Sequence, residues 1–93
     1  MNIKDKEKLI KINQSAELNI IVVQNMIDTL EKKIEIKEDR LEAYESKLEL
    51  TEKQEDAMDK IQDEIDEMRD SIDNLEEVVS NLEDLSSTIN CLI

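Results

Sequence analysis

Residues 20–48 read IIVVQNMIDTLEKKIEIKEDRLEAYESKL, and their apolar members recur in alternating steps of three and four. Ile20, Val23, Ile27, Leu30, Ile34, Leu41, Tyr44 and Leu48 keep this rhythm, with Lys37 as its one charged member. A seven-residue repeat with apolar first and fourth positions marks helices that pack along a seam. We label Ile20, Ile27, Ile34, Leu41 and Leu48 a, and Val23, Leu30, Lys37, Tyr44 and Thr51 d. The stretch predicts an all-α chain built on a long coiled-coil helix.

The columns beside the seam set an orientation. Lys33, Arg40 and Lys47 fall at g, while Glu31, Glu38, Glu45 and Glu52 fall at e. In a parallel pair of chains a g residue meets the e residue five positions later on the partner. That pairs Lys33 with Glu38, Arg40 with Glu45 and Lys47 with Glu52, all opposite in sign. An antiparallel pair sets g near g and e near e, which brings like charges together in a homodimer. Each such surface pair is worth only about 0.2 to 1 kcal/mol, so the charges choose orientation more than they add stability. Ile at a with Leu30 at d also favours two parallel strands.

Composition agrees with helix and with little else. The 93 residues include no Gly, Pro, Phe, Trp or His, and Tyr44 is the one aromatic residue. Compact domains draw on Gly and Pro for turns and on aromatic rings for cores. Here 40% of residues are charged, yet the charges sit between regularly spaced apolar residues, which separates the chain from disordered acidic tails. As one helix it is ~135 Å long at 1.5 Å per residue. Such a helix cannot bury its own apolar stripe, so it needs a partner or a fold back into a hairpin.

The net charge of −13 argues against direct nucleic-acid binding, which calls for a basic surface. The longest apolar run, Ile20–Val23, is far too short for stable membrane insertion. The lone Cys91 and a start without a signal-peptide pattern predict a reducing, cytoplasmic compartment. Lys4, Lys6, Lys8 and Lys11 make the first turns locally basic, with Asn2 or Asp5 as helix cap. The apolar content there is thin, and the segment reads as a solvated helix end rather than a membrane contact.

Toward the N-terminus, Ile12, Ala16 and Ile20 are spaced four and four, which predicts a stutter in the repeat. From Leu18 to Ile27 the apolar face widens, since Ile21, Val22 and Met26 join the seam residues. This predicts a place where a third or fourth helix packs. Toward the C-terminus the pattern fails at Thr51–Asp56, TEKQED, where Thr51 and Gln54 also match a helix-capping box. A continuous helix is the favoured reading here, because a reversal usually employs Gly or Pro. A break near 51–56 is the alternative.

Beyond this segment the repeat resumes in a shifted frame. Met58, Ile65, Ile72 and Val79 form one column, and Ile61, Met68, Leu75, Leu82 and Ile89 the other, with Ser86 interrupting the line. The shift reads as a stammer. Val78, Leu85 and Leu92 add a third column. Charge changes at the same boundary: residues 1–50 hold nine basic and eleven acidic side chains, and residues 51–93 hold three and fourteen. The chain thus divides into a near-neutral heptad segment, 1–50, and an acidic one, 51–93. The acidic half repels its own copy, so it suits a mixed bundle with other protein helices.

No chemical site emerges. Without His and with a single Cys, one chain cannot build a zinc site or a Cys–His nucleophilic pair, and no Gly-rich phosphate cradle exists. Asp63, Glu64, Asp66 and Glu67 read as a solvated acidic face, since a calcium loop needs a turn that this segment lacks. No catalytic, metal or cofactor-binding residue is expected, and the chain reads as non-enzymatic.

Residues Ser71–Ser86, SIDNLEEVVSNLEDLS, resemble the C-terminal helix of a family of small coiled-coil proteins, the subunits numbered two in the complex that builds lysosome-related organelles. Ser71, Leu75, Glu76, Leu82 and Ser86 carry the resemblance. It implies a short cytosolic helical protein that hetero-oligomerises through its second half and serves endosomal and lysosomal trafficking. The same half is also similar to helices of four-helix vesicle-fusion bundles. That family implies a Gln or Arg in a central layer, whereas Gln62 and Arg69 lie outside the columns assigned above.

Together these readings predict a scaffold subunit that oligomerises through helices, as a homodimer through its first half, a hetero-oligomer through its second, or both. The alternatives are an adapter whose acidic half captures a partner protein, and a viral or phage structural protein.

Overall fold

The computed structural model describes residues 1–93. It holds two α-helices, α1 (Ile3–Glu45) and α2 (Glu52–Leu92), and no strand. The expected continuous helix is therefore overturned: the chain breaks, and it does so at residues 46–51, before the segment 51–56 that the sequence pattern marks as weak. Residues 52–56 form the first turns of α2 instead.

Local chemistry fixes both ends of the break. At the end of α1 the Ser46 hydroxyl donates to the Ala43 carbonyl at 2.8 Å, and the Lys47 N–H reaches the Tyr44 carbonyl at 3.1 Å, a tightened last turn. At the start of α2 the capping box is closed. The Gln54 N–H donates to Thr51 Oγ1 at 3.1 Å, and the Thr51 N–H donates to Gln54 Oε1 at 3.0 Å. No residue has a positive φ, so six residues reverse the chain without glycine. Lack of Gly and Pro is thus a weaker argument for continuity than the sequence reading makes it. Thr51→Ala is expected to cost about 1 kcal/mol, read as a lower urea midpoint, while Thr51→Ser keeps most of the stability.

The chain forms two compact units, each drawing on both helices: unit 1 is Met1–Ile27 with Asn74–Ile93, and unit 2 is Asp28–Asp73. In unit 2 the helices run antiparallel. Ile34, Ile65 and Ile72 are buried between them, with Leu30, Leu41, Tyr44, Met58, Ile61 and Met68 half-buried. In unit 1 Ala16, Ile27, Val79 and Ile89 are buried, with Leu9, Asn13, Ile20, Val23, Leu75, Leu82 and Ser86 half-buried.

These burial patterns correct two frame assignments. The inward line of α1 in unit 1 runs Leu9, Asn13, Ala16, Ile20, Val23, Ile27, an unbroken three–four alternation, while Ile12 is exposed. No stutter exists; a polar residue occupies the seam position. In α2 the half-buried Gln54 starts a regular series through Met58 and Ile61. The shift in frame between the two halves is a consequence of the connection rather than of a stammer in one helix.

Candidate helix-packing surfaces

The apolar columns read from the sequence face the other helix of the same chain. Of the seventeen residues assigned to a helix interface, Ile27, Ile34, Ile65, Ile72, Val79 and Ile89 are buried. Ile20, Val23, Leu30, Leu41, Tyr44, Met58, Ile61, Met68, Leu75 and Leu82 are half-buried. Leu48 differs: it lies in the connection and is fully exposed, because the helix that would have carried it inward has ended at Glu45. The six orientation-setting charges are all exposed. Glu38 accepts from Arg69 of its own chain at 2.8 Å, Lys47 lies in the connection over the Tyr44 ring, and Glu52 opens α2.

Two polar groups interrupt the seams. In unit 2 the Lys37 ammonium pairs with the Glu64 carboxylate at the edge of the apolar column. The d position of Lys37 is met by an acid, so the charge does not have to reach open solvent. In unit 1 the Ser86 hydroxyl donates to Asn13 Oδ1 at 2.6 Å, and Asn13 Nδ2 donates to Asn90 Oδ1 at 3.3 Å. Ser86, read from sequence as a flaw in the column, is one half of a cross-helix hydrogen bond.

The hydrogen bond from Lys37 holds the Glu64 carboxyl below its ordinary range; burial pushes the other way, and the charges of Lys37, Lys60 and Arg40 add to the lowering. A depressed folded-state value gives stability that is complete above the unfolded carboxylate range and lost as pH falls through the folded value. The stability difference between the native chain and Glu64→Gln is therefore expected to be largest at pH 7 and to shrink below about pH 4.5, near the unfolded carboxylate range. Urea titrations at stepped pH measure it, and a difference that stays constant into acid contradicts the pairing.

What the seams leave exposed differs between units. In unit 1 the apolar residues Ile12, Leu18, Ile21, Val22 and Met26 of α1 and Val78, Leu85 and Leu92 of α2 remain 41–61% exposed. Between Ile12 and Ile27 only Glu17 is charged, and between Asn74 and Leu92 only Glu76, Glu77, Glu83 and Asp84 are. In the heptad frame these acids fall at e and f. Every g and c position in both stretches is uncharged: Ile12, Ser15, Asn19, Val22 and Met26 on α1, and Asn74, Val78, Asn81, Leu85, Thr88 and Leu92 on α2. Antiparallel packing places g columns on one side of the seam and e columns on the other. Over these stretches unit 1 thus has an uncharged, partly apolar flank and an acidic one.

Unit 2 divides by charge sign. On its g side, shallow grooves are lined by Lys33, Ile36, Lys37, Arg40 and Met68, and by Arg40, Ala43, Tyr44, Lys47 and Ile61. On the e side of α1 the groove is lined by Glu38, Asp39, Leu41, Glu42 and Glu45. No group of His, Cys, Asp and Glu side chains is arranged to hold a metal ion, and Cys91 is a free, exposed thiol. No helix is long and apolar enough to cross a membrane.

Sequence reasoning gives no cross-helix role to Asn13, Glu64, Ser86 or Asn90, all polar, and reads Gln54 as a cap without its place in the seam. Stepping the three–four rhythm back from Ala16 leads to Asn13 and Leu9, so the signal for Asn13 is present but hidden by its polarity. The fold and these surfaces define the class: an all-α, two-helix protein with apolar helix faces left open and no cluster of metal-ligating side chains. Compared with known protein families, with curated proteins and with solved structures, the chain shows no significant match.

Proposed function

We propose that the chain is a non-enzymatic structural subunit: an antiparallel coiled-coil hairpin whose open apolar faces are covered by further helices in an assembly. One observation carries this reading. After α1 and α2 have packed, unit 1 still exposes Leu18, Ile21, Val22 and Met26 on one helix and Val78, Leu85 and Leu92 on the other. Isolated exposed apolar residues are ordinary, but several at helical spacing on one short unit match what a third or fourth helix buries. The resemblance of Ser71–Ser86 to a subunit of the lysosome-related organelle complex agrees with a place in a multi-helix assembly.

A photo-crosslinking residue placed at Val22 or Val78, in cells of the source organism, tests the reading. Crosslinked protein is expected from both positions and not from Glu83 on the acidic flank. Equal yield from all three positions, or none from any, overturns it. The adapter reading draws support from the fourteen acidic against three basic side chains of residues 51–93. It predicts the reverse preference, with Glu83 the productive position.

A further inference from the structure

We propose that the partner is a second copy of this chain, docked flank to flank through the uncharged side of unit 1 to close a four-helix assembly. This rests on the helix-packing reading above and names what covers the g and c columns, leaving Leu18 at f and Ile21 at b outside the contact. Charge and spacing both lead to it.

A chain with a net charge of −13 resists meeting itself, and unit 1 shares that sign, with seven acidic and four basic side chains. Self-association is open only to a face that keeps carboxylates out of the contact. Between Ile12 and Ile27 and between Asn74 and Leu92 the g and c columns do so: Glu17, Glu76, Glu77, Glu83 and Asp84 all fall at e and f, while Asp5 at g and Lys8 at c precede the first of these stretches. Within those stretches the face also lacks any charge with which to select a foreign partner of either sign, whereas the acidic e side and the basic g side of unit 2 both carry such charges.

Spacing makes the face self-complementary. Ile12 and Met26 stand fourteen residues apart at g on α1, and Val78 and Leu92 stand fourteen apart at g on the oppositely directed α2. A twofold axis parallel to the helices lays α1 of one copy over α2 of the other, Ile12 against Leu92 and Met26 against Val78. Asn19, midway between Ile12 and Met26, then lies against Leu85, midway between Val78 and Leu92; the polar members of the face, Ser15, Asn19, Asn74, Asn81 and Thr88, bring no charge that needs a counter-charge.

Sedimentation equilibrium of the full chain tests this, with circular dichroism at the same concentrations. The native chain is expected to be a helical dimer, and the double variant Val78→Glu, Leu85→Glu a helical monomer. Four carboxylates set against the uncharged α1 face of the opposite copy, with no counter-charge there, weaken the dimer at least about 100-fold. Both residues are more than 40% exposed, so the hairpin itself tolerates the change. A benzophenone residue at Val78 gives an independent reading that does not require the variant to fold. A crosslinked product of twice the chain mass supports the second copy. A native monomer, or a dimer indifferent to the double variant, overturns it. A crosslink to a protein of another mass overturns the second copy while leaving the structural-subunit reading intact, and absence of any crosslink overturns both.

Discussion

Ile65→Ala is expected to destabilise the chain by about 2–5 kcal/mol, the largest loss available from any single truncation. Ile65 is 1% exposed, the most enclosed side chain in the molecule, and it lies at the centre of the unit 2 seam. A two-helix seam has no second layer that can relax into the space a deleted side chain leaves. The lost atoms therefore cost both their transfer energy and an unfilled cavity. For a chain of this size each kcal/mol moves the melting temperature by roughly 4–8 °C, so a fall of at least about 8 °C is expected. Ile36→Ala is the matched control. Ile36 is 56% exposed, and its truncation is expected to change stability by no more than about 0.5 kcal/mol. Thermal melts of the two variants, followed at 222 nm, measure the contrast, and equal shifts contradict the placement of the seam.

Asn13→Leu combined with Ser86→Ala is expected to act in the opposite direction. The Asn13–Ser86 hydrogen bond occupies a seam position of unit 1 where apolar residues stand on either side, Leu9 and Ala16 on α1 and Leu82 and Ile89 on α2. Replacing both polar groups with apolar ones of similar volume removes a desolvation cost and adds buried carbon, a gain of about 1–2 kcal/mol. The melting temperature then rises by roughly 4–16 °C. The same change removes a feature that only one alignment of the helices satisfies, because a shift in register leaves the Asn and Ser without each other. The stabilised variant is therefore expected to sediment as a broader set of species than the native chain. A variant that is less stable, or more stable and equally homogeneous, contradicts a register-setting role for this pair.

How much of this architecture is legible in the sequence depends on the chemistry of each position. The apolar columns are plain, because Ile and Leu at three–four spacing form one continuous stripe along a helix that must leave water, and sixteen of the seventeen residues so assigned turn inward. The capping box at Thr51 and Gln54 is legible too, since its two hydrogen bonds follow from residue type and spacing alone. The reversal before it is not. Ser46–Leu50 carries no Gly, Pro or Asn, and its turn is spread over ordinary backbone conformations that leave no compositional mark. The pairing of the polar seam residues Asn13 and Ser86 is not legible one helix at a time, because each makes sense only beside the other. Lys37 is the intermediate case. Its misfit in the d column can be read directly, while Glu64 as its partner depends on where the chain turns back.

The charge columns behave in a related way. Lys33, Arg40 and Lys47 complement Glu38, Glu45 and Glu52 in a parallel pair, a pattern sufficient by itself to argue orientation. In the folded chain Glu38 takes Arg69 from α2, and Lys47 sits over Tyr44 in the connection. Pairings of this kind are each worth a fraction of a kcal/mol, too little to outweigh the burial of a whole apolar column within one chain.

The reversal of the chain in unit 2 is the claim on which everything else depends, and a distance within one molecule tests it directly. Spin labels at Glu35 and Asp70, both exposed and both in unit 2, are introduced in a Cys91→Ser background. The doubly labelled chain is diluted into an excess of unlabelled protein, so that only pairs within one chain are read by pulsed dipolar spectroscopy. Two antiparallel helices packed about 10 Å apart place the labels at roughly 20–30 Å. A single continuous helix separates them by roughly 50 Å, thirty-five residues at 1.5 Å each, and a distribution centred there contradicts the fold.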